Sequence, residues 1–101
     1  MSQSPARIVL ERAKALIQDP QDWLQGGWTM TCPSGRVRRC AYQAVQDAAT
    51  EAGLPDAAAL KALTRVIADA RRSPRRAIPM FNDTFDHADV MAMFDLAIQT
   101  V

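Results

Sequence analysis

A single histidine, two cysteines and a formal net charge of +1 leave this 101-residue chain few of the usual reagents of catalysis and no long-range field. With charge so balanced, nothing global drives it onto nucleic acid or a membrane surface. A zinc site is poorly supported. Seven residues separate Cys32 from Cys40, wider than the usual ligand spacing, and His87 is the only imidazole available to join them. No apolar run approaches the length of a bilayer span. The start, Met1-Ser2-Gln3-Ser4-Pro5, lacks the charged head and apolar stretch of a signal peptide. These absences point to a cytoplasmic protein with reduced thiols and no membrane partner. There is no phosphate-cradling glycine loop, no zinc-protease helix and no Ser-His-Asp order, so no cofactor or metal is expected.

What is present is ordinary globular material. Apolar residues make up 49% of the chain, enough for one domain with a core of its own. Ser4-Pro5 is a helix-start signal, a capping hydroxyl followed by Pro in the first turn. Ile8, Val9, Arg12, Ala13, Leu16 and Ile17 then follow helical spacing. Asp19-Pro20 ends this helix, since the residue before Pro is pushed out of the α region. A short turn through Gln21, Asp22, Trp23 and Leu24 runs to Gly26-Gly27. Trp28 to Arg39 reads as an irregular loop or a small hairpin turning at Pro33-Ser34-Gly35. A second helix begins at Val37 or Cys40, with small residues along one face, and stops at Gly53.

Pro55-Asp56 restarts the chain into a third helix to about Arg71, with Leu60, Leu63, Val66, Ile67 and Ala70 inward, and Ser73-Pro74 ends it. Residues 77–83 read as an apolar connector. The last helix is the best specified. Asp86 fits the N-cap with Asp89 three residues on, and Phe85 and Val90 occupy the two positions of a hydrophobic staple. The expected architecture is one compact all-α domain over residues 1–101, four helices around a core, with a Trp/Gly-containing loop or hairpin between the first and second.

The order of these features resembles a family of small, uncharacterised bacterial and phage proteins of unknown function. The matching pieces are Gly27-Trp28, the step from Gly35 to Cys40-Ala41, and Phe81-Asn82-Asp83 followed by Asp89-Val90. The sequence departs from that pattern at Tyr42-Gln43, where small residues are usual. The resemblance implies a compact helical domain and implies no reaction.

Three groups of residues are candidates for function. Cys40 opens the second helix, where the helix terminus and Arg38 and Arg39 favour a thiolate. With His87 as base and Asn82 or Asp83 as third member, a thiol-enzyme constellation can be drawn. No nucleophile motif surrounds Cys40, however, and the favoured reading is a small buried residue in an Ala-rich helix face, which Cys suits well. Asn82-Asp83 also has a plain reading, because Asx side chains shape turns by bonding their own backbone. Cations gather in two segments, Arg36, Arg38 and Arg39 in one and Arg71, Arg72, Arg75 and Arg76 in the other. Converging, they would hold phosphate or an acidic partner; separate, they are solvated helix ends. Finally, Trp28 beside flexible glycine can form a recognition surface, whereas a Trp in such a loop more often closes a small core.

The sequence therefore favours non-catalytic binding, to a protein partner or to itself as a homo-oligomer. A thiol-dependent enzyme is the second reading. Arginine-mediated binding to nucleic acid is the third and is not favoured.

Overall fold

The computed structural model describes residues 4–67 and 74–101. Helix α1 (Pro5–Ile17) leads through a single 3₁₀ turn (Pro20–Asp22) into an antiparallel hairpin, β1 (Thr29–Thr31) and β2 (Val37–Arg39). Four helices follow: α2 (Ala41–Ala52), α3 (Ala57–Val66), α4 (Pro74–Thr84) and α5 (His87–Gln99). The described residues are mainly helical, as the sequence indicates, but they form five helices where four are expected.

The additional helix is α4. The segment 77–83, read as a connector, is its body. Pro74 opens α4, since at the first position of a helix a Pro loses no bond and its fixed φ favours the turn. Pro79 lies inside the helix and does remove a donor there. Burial explains why the helix persists. Ala77 and Ile78 are buried, and Ile78 joins the common core. Helix α3 ends at Val66, short of the expected boundary near Arg71, because Ile67 is already extended as its C-cap. Its expected extension toward Ala70 and Arg71 falls outside the described residues.

Local chemistry fixes most other boundaries. The Ser4 hydroxyl accepts from the Arg7 N–H, and the Asp19 carboxylate caps the 3₁₀ turn by accepting from the Gln21 N–H. Gly53 closes α2 in the left-handed conformation, φ 66°. Asp86 caps α5 by accepting from the Asp89 N–H at 2.9 Å. The hairpin is real, turning at Pro33-Ser34 with Gly35 at φ 90° in the position that a bulged three-residue loop reserves for glycine.

Helix α1 is central, packing most extensively on α2 and also against α3 and α5. Its buried face is Ala6, Val9, Leu10, Ala13 and Ile17. Leu10 takes the place expected of Arg12, which is exposed. The Ala-rich face of α2 (Ala41, Ala44, Ala48) lets α1 approach closely, and Phe94 of α5 is the largest fully buried side chain. The staple at α5 is not a core contact. Phe85 is 45% exposed and packs on Phe81 with ring centroids 4.6 Å apart.

This packing predicts a ranking of substitutions. Ile78→Ala should cost about 2–5 kcal/mol, the range for emptying a core site. Asp86→Ala should cost about 1 kcal/mol as a lost cap. Phe85→Ala should cost no more than Asp86→Ala, because its ring is nearly half in water. Urea melts of the three variants check the order; a Phe85→Ala loss as large as that of Ile78→Ala would contradict it.

Candidate functional site

Asn82 and Asp83 lie in the last turn of α4, and they do not shape a turn by bonding their own backbone. The Asn82 side chain is fully buried. Its Oδ1 accepts from the Trp23 indole Nε1–H at 2.6 Å and from the Ala41 backbone N–H at 2.9 Å. Its Nδ2 donates to the Leu24 carbonyl at 2.9 Å and to Asp83 Oδ1 at 3.1 Å. Indole and backbone N–H groups can only donate, and carbonyl and carboxylate oxygens can only accept. The amide therefore has one possible orientation, with all four of its valences filled. One side chain joins the end of α4 to the 3₁₀ segment and to the first residue of α2.

Neighbouring polar groups extend this clasp. Gln25 Nε2 lies within hydrogen-bond distance of the carbonyls of Asn82, Asp83 and Phe85, at 3.3, 3.0 and 3.0 Å. Asp83 Oδ1 also accepts from the Gly26 N–H at 2.8 Å. Trp23 thus closes the end of the core as a loop tryptophan commonly does, but its N–H bonds a side-chain amide instead of a backbone carbonyl. No local signal in the sequence identifies Gln25, since its acceptors lie 57 to 60 residues away.

The four residues of the thiol-enzyme reading do gather around this clasp. Cys40 is the N-cap of α2, only 1% exposed, and its sulfur accepts from the Gln43 N–H at 3.4 Å. Burial pushes the thiol above its usual value, and the negative charge of Asp83 pushes the same way, against the lowering effect of backbone N–H groups. His87 Nε2 lies 2.8 Å from the Ile17 carbonyl. A carbonyl can only accept, so Nε2 carries a proton. The imidazole also stands edge-on to Trp23, 5.6 Å between centroids. Thiol and imidazole each have their own partner, and neither is hydrogen-bonded to the other.

The first arginine group is engaged within the fold. Arg36 bonds Gln21 Oε1 at 2.8 Å and lies near Asp19 and Asp22. Arg38 donates through Nε and Nη2 to the Trp23 carbonyl, at 3.2 and 2.9 Å. Arg39 pairs with Asp47 at 2.6 Å, and Gln43 holds the other oxygen of that carboxylate. Of the second group, Arg76 is exposed, while Arg71, Arg72 and the side chain of Arg75 lie outside the described residues. Trp28 is 47% exposed and meets Tyr42 edge-to-face at 5.6 Å. Together with Gln43 and Gln46 the pair lines a shallow groove of about 300 Å³. Among the described residues no group of three or more His, Cys, Asp or Glu is placed to hold a metal ion, and no helix is long and apolar enough to cross a membrane.

Two outcomes follow from this geometry. Asn82→Ala leaves the Trp23 N–H, the Ala41 N–H and the Leu24 carbonyl without their partner, at about 1–3 kcal/mol for each buried group, so a total loss of about 3 kcal/mol or more is expected. Chemical denaturation, followed by Trp fluorescence, measures it. The Cys40 thiol supplies a pH effect. Its folded pKa exceeds the unfolded one, so the folded state holds the proton to higher pH. Stability is then full below the ordinary thiol range and falls as pH rises through the folded pKa. Denaturation curves across the alkaline range should show this loss in the parent and a flatter profile in Cys40→Ala.

No curated protein and no solved structure matches the chain. A family model matches residues 1–100, which takes in the hairpin, the Asn82 clasp and all five helices. On that match the protein belongs to DUF6197, a family of unknown function.

Proposed function

We propose that this protein is a non-catalytic binding domain, acting in the cytoplasm, whose contact surface is the hairpin and the Trp28–Tyr42 groove. The observation that carries this reading is how the polar groups are used. Asn82 has its amide filled on all sides, His87 is committed to a main-chain carbonyl, and Cys40 is buried with its proton held more tightly than usual. A thiol nucleophile needs the reverse: exposure, a lowered pKa and a base within reach. Large apolar side chains, by contrast, are left in water at the hairpin, where Trp28 and Met30 are 47% and 42% exposed. Buried polar groups that are fully paired stabilise a fold, whereas exposed aromatic and Met side chains supply contact energy to a partner. The arginine reading loses support because Arg36, Arg38 and Arg39 spend their charge on Asp22, the Trp23 carbonyl and Asp47.

Thiol labelling separates the binding domain from the thiol enzyme. In a Cys32→Ser background, Cys40 should react with an alkylating reagent at neutral pH no faster than the fold opens. The rate should then rise with sub-denaturing urea. Labelling as fast as that of a free thiol, with no dependence on urea, would put the catalytic reading first.

A further inference from the structure

The ladder of the hairpin shows which backbone groups of β1 are in use. Thr29, Met30 and Thr31 face Arg39, Arg38 and Val37. Just outside the strands, the Cys40 N–H donates to the Trp28 carbonyl and the Cys32 N–H to the Arg36 carbonyl. Hydrogen-bonded and non-hydrogen-bonded pairs alternate along an antiparallel ladder. With Trp28–Cys40 and Cys32–Arg36 as bonded pairs, Met30–Arg38 is the bonded pair between them. The N–H and C=O groups of Thr29 and Thr31 therefore point away from β2. All three residues of β1 are exposed, and among the described residues no other segment is bonded to that edge. The far side of β2 is taken at Arg39, where the Leu24 N–H donates to the Arg39 carbonyl and Trp23 bridges Arg39. The edge of β1 is open along its whole length.

We propose that this edge pairs with the same edge of a second copy of the chain, β1 against β1 antiparallel, about a two-fold axis at Met30. The inference rests on the binding reading above and names its partner. The sequence Thr29-Met30-Thr31 reads the same in both directions. Centred on Met30, such a pairing sets Thr29 opposite the partner copy's Thr31, and Met30 opposite the partner copy's Met30. The outward groups are those of Thr29 and Thr31, so both Thr–Thr pairs fall at hydrogen-bonded positions and the Met pair at the non-bonded one. Every free edge group then has a partner, and a register shifted by one residue loses this match. Charge does not oppose it. The strand carries none, and the nearest cations, Arg38 and Arg39, are tied to the Trp23 carbonyl and Asp47. Only its brevity blunts the edge; it has neither the lysine nor the proline that commonly guards one. Because the two-fold pairing uses the same edge on both copies, the assembly closes at two and does not run on as a filament.

The register makes the test specific. At a non-hydrogen-bonded position facing residues bring their Cα atoms to about 4.5 Å, within the span of a disulfide. In the Cys32→Ser background, Met30→Cys should cross-link to a second copy when diamide is added. The two thiols give up two protons and two electrons to the diazene, which becomes the hydrazine. Thr29→Cys, displaced from its own counterpart, should cross-link far more slowly. Sedimentation velocity on the parent chain should show a monomer–dimer equilibrium. Thr31→Pro removes an outward N–H and leaves the internal ladder untouched. It should weaken the dimer about tenfold or more, two of the four inter-copy bonds being lost, with little change in melting temperature. A parent chain that stays monomeric at millimolar concentration overturns the proposal, as does cross-linking of Thr29→Cys as fast as Met30→Cys. Neither result depends on Cys40, so failure here is distinct from failure of the non-catalytic reading.

Discussion

Asn82 presents a fully buried primary amide with two donors and two acceptor lone pairs, in a region that water does not reach. Such a group destabilises a fold unless each of its valences is met. Here the partners come from the 3₁₀ segment, from the first residue of α2 and from the adjacent Asp83. The α1–α2 connection, lacking a core of its own, is thereby held to the helical body. Gln25 and the Asp83 carboxylate reinforce the same junction from its exposed side. The hairpin follows from it, since Leu24 is bonded both to Asn82 and to Arg39 of β2.

This division of labour bears on function. The groups with chemical versatility are drawn inward to make the junction. The His87 Nε2, the buried Cys40 thiol and the Asn82 amide are each engaged by groups of the fold itself. The large apolar side chains left facing water are Trp28, Met30, Met80, Phe85 and Leu96 among the described residues. A two-stranded ribbon is marginal when isolated. Three arginine side chains anchor this one to the 3₁₀ turn, the Trp23 carbonyl and α2, so its free edge stays presented in a fixed position.

The parts of the fold governed by neighbours in sequence were readable. Ser4, Asp19 and Asp86 cap as their positions indicate, and Gly53 takes the left-handed turn that ends α2. The parts governed by distant contacts were not. Pro79 and the Asx pair oppose a helix locally, and only burial of Ala77 and Ile78 overrides them. Asn82 is harder still. An Asx residue that shapes a turn and one that bridges segments are identical in sequence, and what distinguishes them is an acceptor or donor 41 to 59 positions away. Phe85 shows the converse, since the staple pattern was present but its ring stacks on Phe81 at the surface. The family resemblance drew attention to Cys40-Ala41 and Phe81-Asn82-Asp83 without indicating that Ala41 and Asn82 meet.

Sequence separation gives the clasp a further meaning for how the chain matures. Helices α1 and α2 pack on each other across the connection of residues 18–40, and all of that chain precedes α4, so their contact can form before α4 is made. The amide that completes the region between them belongs to residue 82. Closing loops of that length delays the contacts they make relative to local ones. Synthesis runs from the N-terminus at a few residues per second. Until the end of α4 has left the ribosome, the Trp23 indole and the start of α2 are without the acceptor they share, and the Cys40 thiol lies in a part of the fold that has not yet locked. The chain therefore passes through an interval in which the cysteine that the finished fold buries is still accessible.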